Sequence, residues 1–99
     1  MGDRTLAGKI VAGFLQDAPV QLRQLRERHE AGDATETRRL AHGLKGAAAT
    51  VSAAALRDVA LKVENADKEG DLALVGQLLP NLEERFEQLR AALRDAGWA

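Results

Sequence analysis

The side chains able to do chemistry gather in Arg38-Arg39-Leu40-Ala41-His42-Gly43-Leu44-Lys45-Gly46. Read as a helix at about 100° per residue, Leu40, Ala41, Leu44, Ala47, Ala48 and Val51 share an arc of about 120°, the width of a core-facing stripe. His42 points about 160° from the centre of that arc, toward solvent. Arg38 and Arg39 lie one turn before it on the outward face, and Lys45 and Gly46 one turn after it. Three nearby cations disfavour a protonated ring and leave neutral imidazole, the nucleophilic form. The same cations would neutralise the oxygens of a phosphoryl group carried on the ring, with Lys45 best placed to do so.

Two glycines sharpen the pattern, because each costs a helix interior about 1 kcal/mol relative to alanine. Gly46 is on the outward face, where no packing asks for a small residue, and it would clear the surface for another protein's active site. Gly43 borders the core face, where it would equally let a second helix come close. Spacing alone favours a solvated surface histidine at position 42; with the cationic patch and the two glycines counted, that reading and a nucleophile account for it about equally.

The elements that must position this segment read as helices. The 99 residues are enough for one domain, and 45% hydrophobic with 29% charged residues is the composition of a packed chain rather than a disordered one. Aromatics are only 3%, so Leu, Val, Ile and Ala must build the core. Asp17-Ala18-Pro19, Gly32-Asp33, Ser52 and Gly70-Asp71 punctuate the chain. They predict helices over about 4–16, 18–31, 34–51, 53–69 and 71–95. Asp17 would cap a helix with proline in its first turn. Asp33 and Glu36 have capping-box spacing, and Ser52 would cap the helix that follows it. Such short connections favour antiparallel neighbours. The expected fold is all-α: an up-down antiparallel four-helix bundle with a short additional N-terminal helix.

Apolar stripes agree with this division: Leu22, Leu25 and His29, then Leu56, Val59, Val63 and Ala66, then Val75, Leu78, Leu82, Phe86, Leu89 and Leu93. Pro80 should kink the last helix, with Gly76 one turn before it. His29 reads as a helix-end or core-edge residue. Leu61 falls off its stripe, while Ile10 and Val11 suit either core cover or a docking surface. Glu83, Glu84 and Arg85 read as a solvated face.

Several classes of function are excluded or disfavoured. Without cysteine there is no disulfide, no thiolate chemistry and no Cys-containing zinc site. Neither His29 nor His42 has Glu three residues before it, so the inward Glu-x-x-His metal pattern of bundles is missing. No Gly-rich nucleotide loop is present. A net charge of -1 leaves no footprint for nucleic acid or an anionic membrane. No apolar run approaches the roughly 18 residues of a membrane span, and no signal-peptide pattern opens the chain. A cytoplasmic monomer with no cofactor of its own is expected.

The stretch His42-Gly43-Leu44-Lys45-Gly46-Ala47-Ala48 resembles the signature of histidine phosphotransfer (HPt) domains, a His followed by x-Leu-Lys-Gly and small residues. The similarity extends over Phe14-Leu15-Gln16-Asp17-Ala18-Pro19, Ala31-Gly32-Asp33, Ala54-Ala55-Leu56, Val63-Glu64 and Glu69-Gly70-Asp71-Leu72. The resemblance implies a helical bundle whose histidine exchanges phosphoryl groups with aspartates of response-regulator receiver domains, within relays begun by hybrid sensor histidine kinases. It maps His42 onto the phosphoacceptor, through Nε2. Lys45 maps onto the lysine that helps hold the phosphoryl group, and Gly46 onto the glycine that gives it room. Arg38, Arg39 and Gly43 then belong to the receiver-docking surface. The receiver would bring Mg²⁺ and catalysis, so the chain itself is not expected to be an enzyme. It reads equally as a stand-alone carrier or as the C-terminal module of a hybrid kinase. Three positions depart from the pattern: Gly43 replaces a frequent Thr, Ala47 a frequent Ser, and Ser52 a glycine that often begins the next turn. The competing reading is a helical docking module that binds a receiver or kinase without being phosphorylated. A dimerising kinase domain fits less well, since it would carry Glu or Asp after the histidine.

Overall fold

The structure, a computed structural model, describes residues 2–98. They form four helices: α1 (Gly2–Glu30), α2 (Ala34–Thr50), α3 (Ala54–Lys68) and α4 (Leu72–Asp95). Each packs on its neighbours in the chain, and α1 closes against α4, giving a four-sided bundle 46 Å long and about half as wide. Leu25, Leu44, Leu56, Val63, Leu82 and Phe86 are fully buried along its axis. Phe14 of α1 meets Phe86 of α4 at 5.9 Å between ring centroids, tilted by 53°. Small side chains at Ala41, Ala48 and Ala60, all without exposed surface, let α2 and α3 approach closely.

The additional N-terminal helix is corrected. The residues expected as separate helices over 4–16 and 18–31 form the single α1, with Pro19 inside it. A mid-helix proline removes one backbone hydrogen bond and costs about 3 kcal/mol. Here the buried stripe runs unbroken through it, from Phe14 and Ala18 to Leu22 and Leu25. Burying that many apolar side chains, each contributing about 1.5–3 kcal/mol for the larger ones, offsets the cost, and Asp17 is an ordinary exposed helical residue. Pro80 likewise lies inside α4, which continues to Asp95.

Other positions also resolve. Val11 is buried, whereas Ile10 and Leu61 are exposed. His29 is half-buried between α1 and α4, and a Cβ on Gly76 would come within 3.3 Å of its Nε2. Gly76 therefore makes room for His29. Glu83 is not simply solvated: Arg26 of α1 donates to it through Nε (3.0 Å) and Nη2 (2.6 Å), tying α1 to α4.

Each corner closes by the same device. At the end of α1, the Asp33 amide donates to the Arg28 carbonyl and the Gly32 amide to that of His29, the paired bonds of a Schellman turn. The end of α3 repeats this at Gly70 and Asp71. The position that reverses the chain needs positive φ, which glycine supplies at Gly32 (75°) and Gly70 (74°). At the end of α2 the same bonds form around Ser52, which is held at φ 58°. The expectation that Ser52 caps the next helix is corrected: the N-cap of α3 is Ala53, with no side-chain bond. A left-handed conformation costs a residue with a Cβ about 1–2 kcal/mol, partly balanced by the greater backbone entropy that glycine loses. Ser52→Gly should therefore stabilise the fold by about 1 kcal/mol and raise Tm by about 4–8 °C, measurable by thermal unfolding.

Candidate functional site

α2 starts at Asp33, whose side chain accepts from the Glu36 amide, and its inner face buries Leu40, Ala41, Leu44 and Ala48. That seating turns His42 outward, with 66% of its side chain exposed. Gly43 and Gly46 are exposed beside it, and a Cβ at either would meet nothing within 4 Å. No packing inside this chain requires glycine there.

The partners come from α3, which runs antiparallel to α2. Glu64 follows Val63 and Asp67 follows Ala66 on the core stripe, and both carboxylates are buried. Glu64 bridges two residues of α2: Oε2 lies 2.9 Å from His42 Nδ1, and Oε1 accepts from Lys45 Nζ at 2.8 Å. One turn along, Arg38 Nε donates to Asp67 Oδ2 at 3.2 Å. Arg39 turns away and pairs with Glu36 on its own helix. The expected cluster of three cations facing the imidazole is therefore corrected: each cation is matched to a carboxylate, and the group touching the ring is Glu64.

The Lys45 hydrogen bond holds the Glu64 carboxyl below the usual carboxylate range, aided by the bond from His42 and opposed by burial. An ionised Glu64 can only accept, so the proton of a neutral His42 ring sits on Nδ1. The Nε2 lone pair is then left on the outward side. Among the described residues, no group of three or more acidic or histidine side chains is placed to hold a metal ion.

Sequence reasoning placed His42, Lys45 and Gly46 on one face but missed Glu64 and Asp67 as partners. The available signal was two acids at i, i+3, each directly after a residue of an apolar stripe.

A bundle that offers one exposed imidazole, oriented from behind by a buried acid, has the build of a histidine-bearing carrier module. The family model for the Hpt domain matches residues 9–93, and the chain belongs to that family. Membership carries a role in phosphorelay histidine phosphotransfer. Neither a curated protein nor a solved structure matches the chain significantly.

Because the Glu64 carboxyl is lowered in the folded state, its contribution to stability is complete above the unfolded carboxylate value. It is lost as pH falls through the folded value. Urea unfolding should therefore show wild type weakening from about pH 5 downward. Glu64→Gln should be less stable at pH 7 and lose less on acidification. Equal acid sensitivity in the two proteins would count against the bridge.

Proposed function

We propose that His42 is the phosphoacceptor of a phosphorelay carrier. It takes a phosphoryl group from a receiver-domain aspartate or a sensor histidine kinase and passes it to a response-regulator aspartate. The observation that carries this reading is the Glu64 bond to Nδ1, which leaves Nε2 outward on a surface cleared by Gly43 and Gly46.

In the forward step, the Nε2 lone pair attacks phosphorus, and the bond from phosphorus to the donor aspartate breaks. The donor leaves as a free carboxylate. The ring keeps its Nδ1 proton and becomes cationic, and Glu64 stabilises that charge as an acid behind a catalytic imidazole does. Lys45, one turn from His42, provides the cation for the phosphoryl oxygens. The reverse step returns the group to an aspartate and leaves the ring neutral. Mg²⁺ and the reacting carboxylate belong to the receiver, so this domain contributes position and charge rather than turnover.

The docking surface on this reading is the α2 face around His42, with Gly43, Gly46 and the exposed Arg39 contacting the receiver and Arg38 at its edge. A monomeric, cytoplasmic module serves such a relay. No helix among the described residues is long and apolar enough to cross a membrane.

Receiver domains charged with acetyl phosphate should transfer an acid-labile, base-stable phosphoryl group to wild type. His42→Gln should take up none. Lys45→Ala should accept it about 10- to 100-fold more slowly, the usual loss of a hydrogen bond to a charged group. A receiver that binds wild type and His42→Gln alike, and labels neither, would replace the carrier with a non-phosphorylated docking module.

A further inference from the structure

Of the three α2 cations within one turn of His42, Arg39 pairs with Glu36 on its own helix, and the α3 partners of the other two, Lys45 and Arg38, differ in one respect. Glu64 has two partners, Lys45 and His42. If Lys45 swings away, the buried carboxylate keeps the bond from Nδ1. Asp67 is more deeply enclosed, with no exposed side-chain surface. Its Oδ2 accepts from Arg38 Nε, while its Oδ1 is buried with no hydrogen-bond partner among the described residues. If Arg38 leaves, a fully buried carboxylate has nothing to compensate it, and an uncompensated buried charge is strongly destabilising. Lys45 is therefore free to change partners and Arg38 is not.

We infer that Asp67 is a positioning residue: it tethers Arg38 away from the phosphoryl group on His42, so that of the two cations held by α3 only Lys45 serves it. The inference rests on His42 being the phosphoacceptor. Arg38 is long enough to reach a group one turn away on its own helix face, and its guanidinium is the stronger ligand for phosphoryl oxygens because it can bind two of them at once. A second cation on those oxygens would favour the phosphorylated state over the free one. A guanidinium that grips two oxygens of the resting phosphohistidine more tightly than it grips the transition state would also slow loss of the group. A carrier that must give its cargo away is better served by one cation than by two.

The test uses the chain alone. Potassium phosphoramidate, which releases ammonia as the new nitrogen–phosphorus bond forms, is used to load His42, and ³¹P NMR follows the decay of the phosphohistidine. Asp67→Asn removes the charge that holds Arg38 and should lengthen the half-life about fivefold, the effect of one exposed ion pair at the upper end of its range. Asp67→Leu, which fills the buried site without a charge, should do the same and covers the case in which the Asn variant does not fold. Adding Arg38→Met to either variant should restore the wild-type half-life, an outcome that a merely structural role for Asp67 would not give. A half-life unchanged or shortened in the single variants overturns the inference, as does a lengthening that survives Arg38→Met. Failure of phosphoramidate to label wild type at His42 overturns the phosphoacceptor reading itself, and the inference with it.

Discussion

A carboxylate buried between two helices must have partners, and much of this structure follows from how Glu64 finds them. Its side chain is only 7% exposed, yet it carries a full charge. An isolated charge in that position would be prohibitively unfavourable. Lys45 and His42, three residues apart on α2, supply the compensation from one direction. The geometry of the exposed imidazole is thus fixed from inside the bundle. The ring stands in solvent, but its orientation belongs to the core.

That bridge depends on the α2–α3 register, and other features protect the register. Alanines at 41, 48 and 60 are completely buried and permit close approach of the two helices. Arg38 and Asp67 repeat the cation-to-carboxylate pairing one turn away, so a slide of either helix would strip both buried carboxylates of their partners together. The tight corner at Ser52 limits such sliding further, since its paired backbone bonds join the end of α2 directly to the start of α3. Here the chain accepts an unfavourable backbone angle at a serine where two other corners use glycine. The opposite side of the bundle is held differently, by apolar packing of Phe14 on Phe86 and by the Arg26–Glu83 pair. The candidate site and the Phe14–Phe86 and Arg26–Glu83 contacts thus occupy different sides of the same four helices.

The parts legible in the sequence were those governed by helical periodicity within one segment. The stripe from Leu40 to Ala48 predicts which way His42 faces, because a single helix wheel contains the whole argument. What was not legible needed information from a second element. Pro19 signals a helix boundary by local chemistry, and only burial of Phe14, Ala18, Leu22 and Leu25 on both sides of it shows why α1 continues. Ser52 has the composition of a cap, and its left-handed angle emerges only from the geometry joining α2 to α3. Glu64 and Asp67 look like ordinary surface acids until α2 is laid against them. The cations around His42 are visible in the sequence, but the carboxylates that neutralise Lys45 and Arg38 lie 19 and 29 residues away in the chain.

On the proposal that His42 carries a phosphoryl group, the same carboxylate would let one site serve an empty ring and a loaded one. In the empty ring, the charge of Glu64 is balanced by the Lys45 ammonium and by the Nδ1–H dipole of a neutral imidazole. Attack through Nε2 would add about one and a half to two negative charges outside the ring and leave the imidazole itself positive. Glu64 would then face a cation already bonded to it, and its need for Lys45 would fall at the moment the phosphoryl oxygens require one. Lys45 would then turn from the Glu64 carboxylate to the phosphoryl oxygens. A histidine without a buried acid behind it would lack this exchange, because the ring cation would be unbalanced and the lysine would have no partner to hold it in readiness. On the proposed reading, the interior carboxylate would make an exposed imidazole able both to take a phosphoryl group and to give it up.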